Sequence, residues 1–115
     1  MNSITEEKLK KYFDITQKAL NKVTISEEKK INWKPSAEDF LDMANRYFSD
    51  AKHFYKKGDW ITAFAALNYA HGWLDAGARI GLFDVEHDSK LFTVDWKKII
   101  LKNTLYKNKD KYLTV

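Results

Sequence analysis

Cysteine is absent from this chain of 115 residues, and proline and glycine are scarce, with one and four copies. Without cysteine, disulfides and thiolate metal sites are excluded. So few turn-forming residues argue against a turn-rich all-β fold and favour long helices. No apolar run approaches the roughly 20 residues that span a bilayer, and the first residues, MNSITEEKLKKYF, lack the apolar core of a signal peptide. We therefore expect a cytoplasmic protein that makes no membrane contact.

The positive charge of the chain is concentrated at one end. The net charge is +4, but residues 96–115 carry +5 and residues 1–95 carry −1. We predict one domain over residues 1–95 and a basic tail over residues 96–115. Such a tail usually aids solubility, but it could also bind RNA. The lysines that would make this contact are Lys97, Lys98 and Lys102.

Three long helices are predicted from apolar residues spaced three and four apart. The first runs from about Thr5 to Val23, with a cap from either Ser3 or Thr5. The second runs from about Ser36, as N-cap, to Lys57. The third runs from about Trp60 to Ile80. The apolar positions of the first helix are Leu9, Tyr12, Phe13, Thr16, Ala19, Leu20 and Val23.

Helices two and three are predicted to be antiparallel neighbours. Gly58 ends the second helix in the left-handed conformation, and Asp59 can cap the third at once, so the link is too short for any other arrangement. The third helix is rich in small residues and has no broad polar face. We therefore expect its neighbours to cover it on several sides. Gly77, in the middle of this helix, indicates a close packing contact.

The segment after Gly81 has a different pattern. Leu82–Val85 and Leu91–Val94 are short apolar runs that could form a small β-hairpin or an extended tail along the end of the bundle. Asp95 could cap a last short helix. The predicted fold is thus an all-α three-helix bundle with a short C-terminal extension.

A polar cluster on helix three is the first candidate site. His71, Asp75 and Arg79 follow one another at four-residue spacing, and Asn68 lies one turn before them. A histidine held by a carboxylate could act as a general base, with Arg79 as an anion clamp. The structural alternative is that Asp75 pairs with Arg79, while His71 and Asn68 bond to other helices.

An aromatic pair on the same helix is the second candidate. Tyr69 and Trp73 could cover a self-association surface or a ligand groove, or be covered by the connector and the tail. Arg46 and His53 have the order of a helical ribonuclease motif, but they are also ordinary neighbours on one helix face. No spacing indicates a metal site, and we expect neither a metal nor a cofactor.

Residues Tyr47–Val85 carry a family resemblance. The stretch YFSDAKHFYKKGDWITAFAALNYAHGWLDAGARIGLFDV, with TEEKLKKYFDITQKAL before it and LFTVD after it, resembles an archaeal family called domain of unknown function 357. The resemblance covers roughly residues 4–95. It implies an up-down-up antiparallel three-helix bundle of spectrin-repeat-like form and an archaeal, cytoplasmic protein. It implies no activity.

Three functions stay open. The first is a non-enzymatic protein-interaction module, with a homodimer through the helix-three aromatics as one form. The second is a ligand-binding or hydrolytic protein that uses the polar cluster. The third is an RNA-associated protein that uses the basic tail.

Overall fold

A computed structural model of the chain describes residues 2–93, which form three helices and no strand. The helices are α1 (Glu6–Lys22), α2 (Trp33–Lys56) and α3 (Trp60–Arg79). The predicted all-α class is confirmed. None of these helices is both long and apolar enough to cross a bilayer. The predicted helix after Asp95 and the basic tail lie outside the described residues.

The turn between α2 and α3 follows the predicted mechanism. Gly58 has a φ of 80°, and its N–H bonds to the Tyr55 carbonyl while the Asp59 N–H bonds to the Phe54 carbonyl. This pair of bonds is the Schellman ending of a helix. Asp59 then caps α3, because its Oδ1 accepts a hydrogen bond from the Thr62 N–H at 3.2 Å. Helix α3 therefore begins two residues after Gly58 and returns along α2.

Helices α2 and α3 pack against each other through small side chains, and theirs is the one extensive helix contact among the described residues. The buried residues where they meet are alanines, because small residues let two helix backbones approach closely. Larger side chains project on both flanks, and Tyr69 is 53% exposed. We expected neighbouring elements to cover α3 on several sides, but α2 covers one side of it. The buried alanines are Ala44 and Ala51 on α2 and Ala63, Ala66, Ala70 and Ala78 on α3.

Helix α1 forms without being packed. Thr5 caps it by accepting the Lys8 N–H at 3.1 Å, and ion pairs between residues four apart, such as Lys10–Glu6, support it. No residue of α1 is buried, and every described residue through Pro35 is exposed. The first helix of the expected bundle is thus present but leaves its apolar face uncovered.

Helix α2 begins three residues earlier than predicted. Its N-cap position is Asn32, whose side chain makes no capping bond, and Ser36 lies inside the helix rather than at its cap. Pro35 is compatible with this start because the first N–H groups of a helix have no partner within it. The Trp33 indole N–H donates to the Gly81 carbonyl at 3.3 Å, which holds the start of α2 beside the end of α3.

The described residues 82–93 form turns and bends and no strand, so the hairpin considered for this segment is not formed there. Helix α3 ends in a second Schellman motif, where the Leu82 N–H reaches the Gly77 carbonyl at 2.8 Å. Leu82 is buried, and the Phe83 ring lies where a side chain on Gly77 would be. The close contact expected at Gly77 is therefore with this segment rather than with another helix.

Candidate functional site

The four polar residues predicted on α3 do not converge on one pocket. His71 and Asp75 are neighbours, with the His71 Nε2 3.6 Å from the Asp75 Oδ1. Asn68 borders a groove on one flank of the α2–α3 pair, whereas His71 borders a groove on the opposite flank. Arg79 is exposed and forms no ion pair with any described residue, so the Asp75–Arg79 pairing considered for the sequence is absent.

Asp75 holds the segment that follows α3. Its Oδ1 accepts the Thr93 backbone N–H at 2.9 Å and its Oδ2 accepts the Thr93 hydroxyl at 2.8 Å. The Asp75 side chain retains 24% of its exposure. Because both carboxylate oxygens are engaged, Asp75 is a structural clasp between α3 and residue 93.

His71 takes part in the same clasp. The Phe92 ring stacks on the His71 ring with the centroids 6.1 Å apart and the planes 27° from parallel. Within the segment, the Asp88 carboxylate accepts the N–H groups of Lys90 and Leu91 at 2.8 and 2.9 Å. Through these contacts, His71 and Asp75 bind residues 92 and 93 against α3. Thr93 was not predicted as a partner of α3, and Phe92, considered as cover for Tyr69 and Trp73, stacks on His71 instead.

Tyr69 and Trp73 lie on the other flank, in what we call the aromatic groove. The rings meet edge to face, which is a favourable arrangement for aromatic pairs. The centroid distances are 4.3 Å for Tyr47–Tyr69, 4.9 Å for Phe40–Trp73 and 6.3 Å for Tyr69–Trp73. The groove is lined by Phe40, Tyr47, Asp50, Phe54, Thr62, Ala65, Ala66, Asn68, Tyr69, Gly72, Trp73 and Ala76.

The aromatic groove is long and predominantly apolar. It consists of two adjoining hollows of about 320 and 340 Å³ along the α2–α3 seam. Small residues of α3 such as Ala65 and Gly72 are part of its lining. A lining that combines rings with small residues leaves room for large side chains from outside. The spacing of Phe40 and Tyr47 on α2 does not by itself separate a core face from a groove.

We call the opposite flank the leucine groove. Phe48 and Leu67 border it along its whole length, and His71 and Leu74 lie at one end, near the clasp. The Lys52 ammonium lies 4.5 Å from the centroid of the Phe48 ring, a cation–π contact. This groove is therefore partly used by the chain itself, through the lysine and the clasp.

The apolar face of α1 forms a third uncovered surface, the α1 stripe. Its aromatic residues Tyr12 and Phe13 are 54% and 70% exposed. A contiguous exposed apolar surface of this kind is typical of interaction sites. The α1 stripe consists of Leu9, Tyr12, Phe13, Thr16, Ala19, Leu20 and Val23.

The other chemical possibilities are not assembled in the described part of the chain. Residues 2–93 contain no group of three or more side chains suited to hold a metal ion. Arg46 pairs with Asp42 at 2.9 Å, and His53 lies against Phe54 with the ring centroids 5.4 Å apart. The proposed ribonuclease residues therefore contact their own helical neighbours.

Comparison with protein-family models gives one match. A family described as "Protein of unknown function (DUF357)" matches residues 11–83, from within α1 to Phe83. Curated proteins give no match to the chain, and solved structures give none. The matched residues include the α2–α3 pair and both grooves, and they end before the Phe92–Thr93 side of the clasp.

Proposed function

We propose, from the premise that the chain belongs to the DUF357 family, that it is a non-enzymatic protein-interaction module. Its binding surface is the aromatic groove, and its ligand is an amphipathic helix. The observation that carries this proposal is that the residues buried between α2 and α3 are small, while the groove ring Tyr69 is exposed and Phe40, Tyr47 and Trp73 are half-buried.

The physical reason is the thinness of the packed unit. Two helices that meet through alanines bury little apolar surface, and burial of apolar surface is the main driving force for folding and association. The rings of the aromatic groove would gain much more from a partner than the alanines gain from each other. An amphipathic helix laid into a groove is a recurrent mode of protein recognition.

Pull-down with a matched pair of variants tests the proposal. Tyr69→Ser removes a ring from the aromatic groove, and Tyr55→Ser removes an exposed ring from the leucine groove. We expect Tyr69→Ser to lose captured protein, identified by mass spectrometry, while Tyr55→Ser retains it. Circular dichroism checks that both variants keep their helices. Equal capture by the two variants would contradict the proposal.

The hydrolytic alternative has less support. A general base needs a carboxylate or imidazole that is free to take a proton from a bound ligand. The Asp75 oxygens already accept two hydrogen bonds from Thr93, and His71 and Asn68 border opposite grooves rather than one pocket. RNA binding through Lys97, Lys98 and Lys102 stays a prediction, and its signature would be an affinity that falls steeply with salt. The cytoplasmic location and the archaeal origin also stay predictions.

A further inference from the structure

We propose that the helix bound in the aromatic groove is α1 of a second copy of this chain, and that two copies exchange their α1 helices reciprocally. This inference rests on the proposed function and names its partner. In the assembly, each α1 stripe faces the aromatic groove of the other copy. Both uncovered surfaces are then buried by one arrangement.

The α1 stripe needs a partner. Helix α1 has 17 residues, and most of the stability of a helix in a protein comes from tertiary packing of its amphipathic face rather than from helix propensity. Here the helix is capped at Thr5 and supported by ion pairs, yet none of its residues is buried. Its own α2–α3 pair leaves the stripe uncovered. A groove-to-groove dimer would also leave it uncovered, whereas exchange does not.

The shapes of the two surfaces match. The stripe offers large side chains, Tyr12 and Phe13 among them, and the lining of the groove combines rings with small residues such as Ala65 and Gly72. Because Tyr12 and Phe13 are 54% and 70% exposed, the four rings of two stripes, at ~150–250 Å² per fully buried aromatic side chain, would bring roughly 400–600 Å² into the interface. A stable interface buries ~1,600 Å² in total from both sides. The aliphatic residues of the stripes and the facing walls of the grooves can supply the remainder.

The charges beside the two surfaces are complementary. Lys8 and Lys22 lie along one edge of the stripe at helical spacing, whereas Asp39 and Asp50 lie along the α2 edge of the groove, with Asp50 in its lining. None of the four forms an ion pair with another described residue. The lysines are separated by about 21 Å along α1 and the aspartates by about 16 Å along α2, at 1.5 Å per residue. Flexible lysine side chains can bridge that difference.

The connector permits the exchange. Residues 23–32 form neither helix nor strand and are all exposed, so no packing holds α1 to its own copy along this stretch. Among the described residues, a hydrogen bond from the Trp60 N–H to the Asn2 Oδ1, at 3.1 Å, joins the N-terminal end to the helix pair, and exchange would break it or re-form it between copies. Exchange of helical elements between copies is a common route to dimers when a hinge of this kind is present.

Introduced cysteines test the exchange directly, because the natural chain has none. We expect Lys8→Cys, when mixed with Asp50→Cys or with Asp39→Cys, to give a disulfide-linked heterodimer on mild oxidation. The matched control is Asn45→Cys, which lies on the leucine groove and should not be linked. Preferential linkage to Asn45→Cys, or no linkage at all, would overturn the proposal.

Solution mass and charge reversal complete the test. We expect light scattering of the full chain to give twice the 13.5 kDa chain mass. Lys8→Glu with Lys22→Glu should weaken the dimer by roughly tenfold or more, and adding Asp39→Lys with Asp50→Lys should restore it. A solution mass equal to that of one chain at every concentration would overturn exchange. So would a Lys8→Cys/Asp50→Cys double variant whose disulfide forms only within one chain. The Tyr69→Ser and Tyr55→Ser comparison would still decide the proposed function independently.

Discussion

Helix α1 and the α2–α3 pair form from the same local signals but differ in packing. Helix α1 is unpacked, whereas α2 and α3 pack against each other. Each has apolar residues at helical spacing, and α1 and α3 each begin at a residue whose side chain caps the helix. The α2–α3 pair also has alanines at the positions where two backbones must approach, whereas α1 carries large side chains along its stripe. Local signals are therefore sufficient to form a helix. The size of the side chains decides whether that helix packs against the neighbour that follows it in the chain.

Substitutions at two glycines of α3 should change the free energy of unfolding the most. A Cβ on Gly77 would overlap the Phe83 ring, whereas a Cβ on Gly72 would meet nothing within 4 Å. We expect Gly77→Ala to lower the free energy of unfolding by about 1–3 kcal/mol through overpacking. Gly72→Ala should raise it by about 0.5–1 kcal/mol, because alanine favours the helix. Chemical denaturation measures both, and a stabilising Gly77→Ala would show that the clasped segment does not press on α3.

The clasp is the next test. Asp75→Ala removes the acceptor for two hydrogen bonds from Thr93 and should lower the free energy of unfolding by about 1–2 kcal/mol. It should also speed hydrogen exchange at the Thr93 amide. The control is Asp42→Ala, which breaks an exposed ion pair with Arg46 and should cost at most about 0.5 kcal/mol. Equal effects of the two changes would indicate that the segment is not held by Asp75.

The cap of α1 offers a smaller test. Thr5→Ala removes the hydrogen bond to the Lys8 N–H, a loss typically worth about 1 kcal/mol of helix stability. Because α1 is unpacked, we expect the change to fray α1 locally and to leave the denaturation midpoint of α2–α3 nearly unchanged. Amide exchange resolved by residue can separate these effects. A shift of the global midpoint comparable with the local loss would show that α1 is coupled to the pair.

The pH dependence of the α3 cap should be the smallest effect. Hydrogen bonding from Thr62 lowers the pKa of Asp59 below the 3.8 of an unperturbed aspartate. A lowered pKa in the folded state means that the stabilisation is complete above the unfolded pKa and is lost as the pH falls through the folded pKa. We expect Asp59→Asn, which can still cap, to weaken the acid dependence of the melting temperature below about pH 4. An unchanged acid profile would contradict this assignment.

Much of the fold follows from residues that act on their immediate neighbours. Gly58 and Asp59 set the α2–α3 turn as predicted, because a left-handed stop and an N-cap depend only on adjacent backbone. The start of α2 was placed too late, since the Trp33 contact with the Gly81 carbonyl is made 48 residues away along the chain. A local reading of Pro35 and Ser36 could not include it.

The candidate site was harder to predict for the same reason. Tyr69 and Trp73 were predicted as a candidate surface on α3, but the spacing on α3 could not identify their ring partners Phe40 and Tyr47 on α2. The spacing of His71, Asp75 and Arg79 correctly made His71 and Asp75 neighbours. It could not show that Asp75 would bind Thr93 rather than Arg79, because that choice depends on the path of residues 82–93.

The connector of residues 23–32 is a linker whose length affects how copies of the chain assemble. A flexible linker holds α1 near the groove of its own copy at an effective concentration that falls as the linker lengthens. The α1 helix of a second copy competes for that groove at the bulk concentration of the protein. The length of the connector and the cellular concentration of the protein together therefore decide which copy's groove an α1 helix occupies. Insertions or deletions in this stretch could retune assembly while every binding residue stayed unchanged.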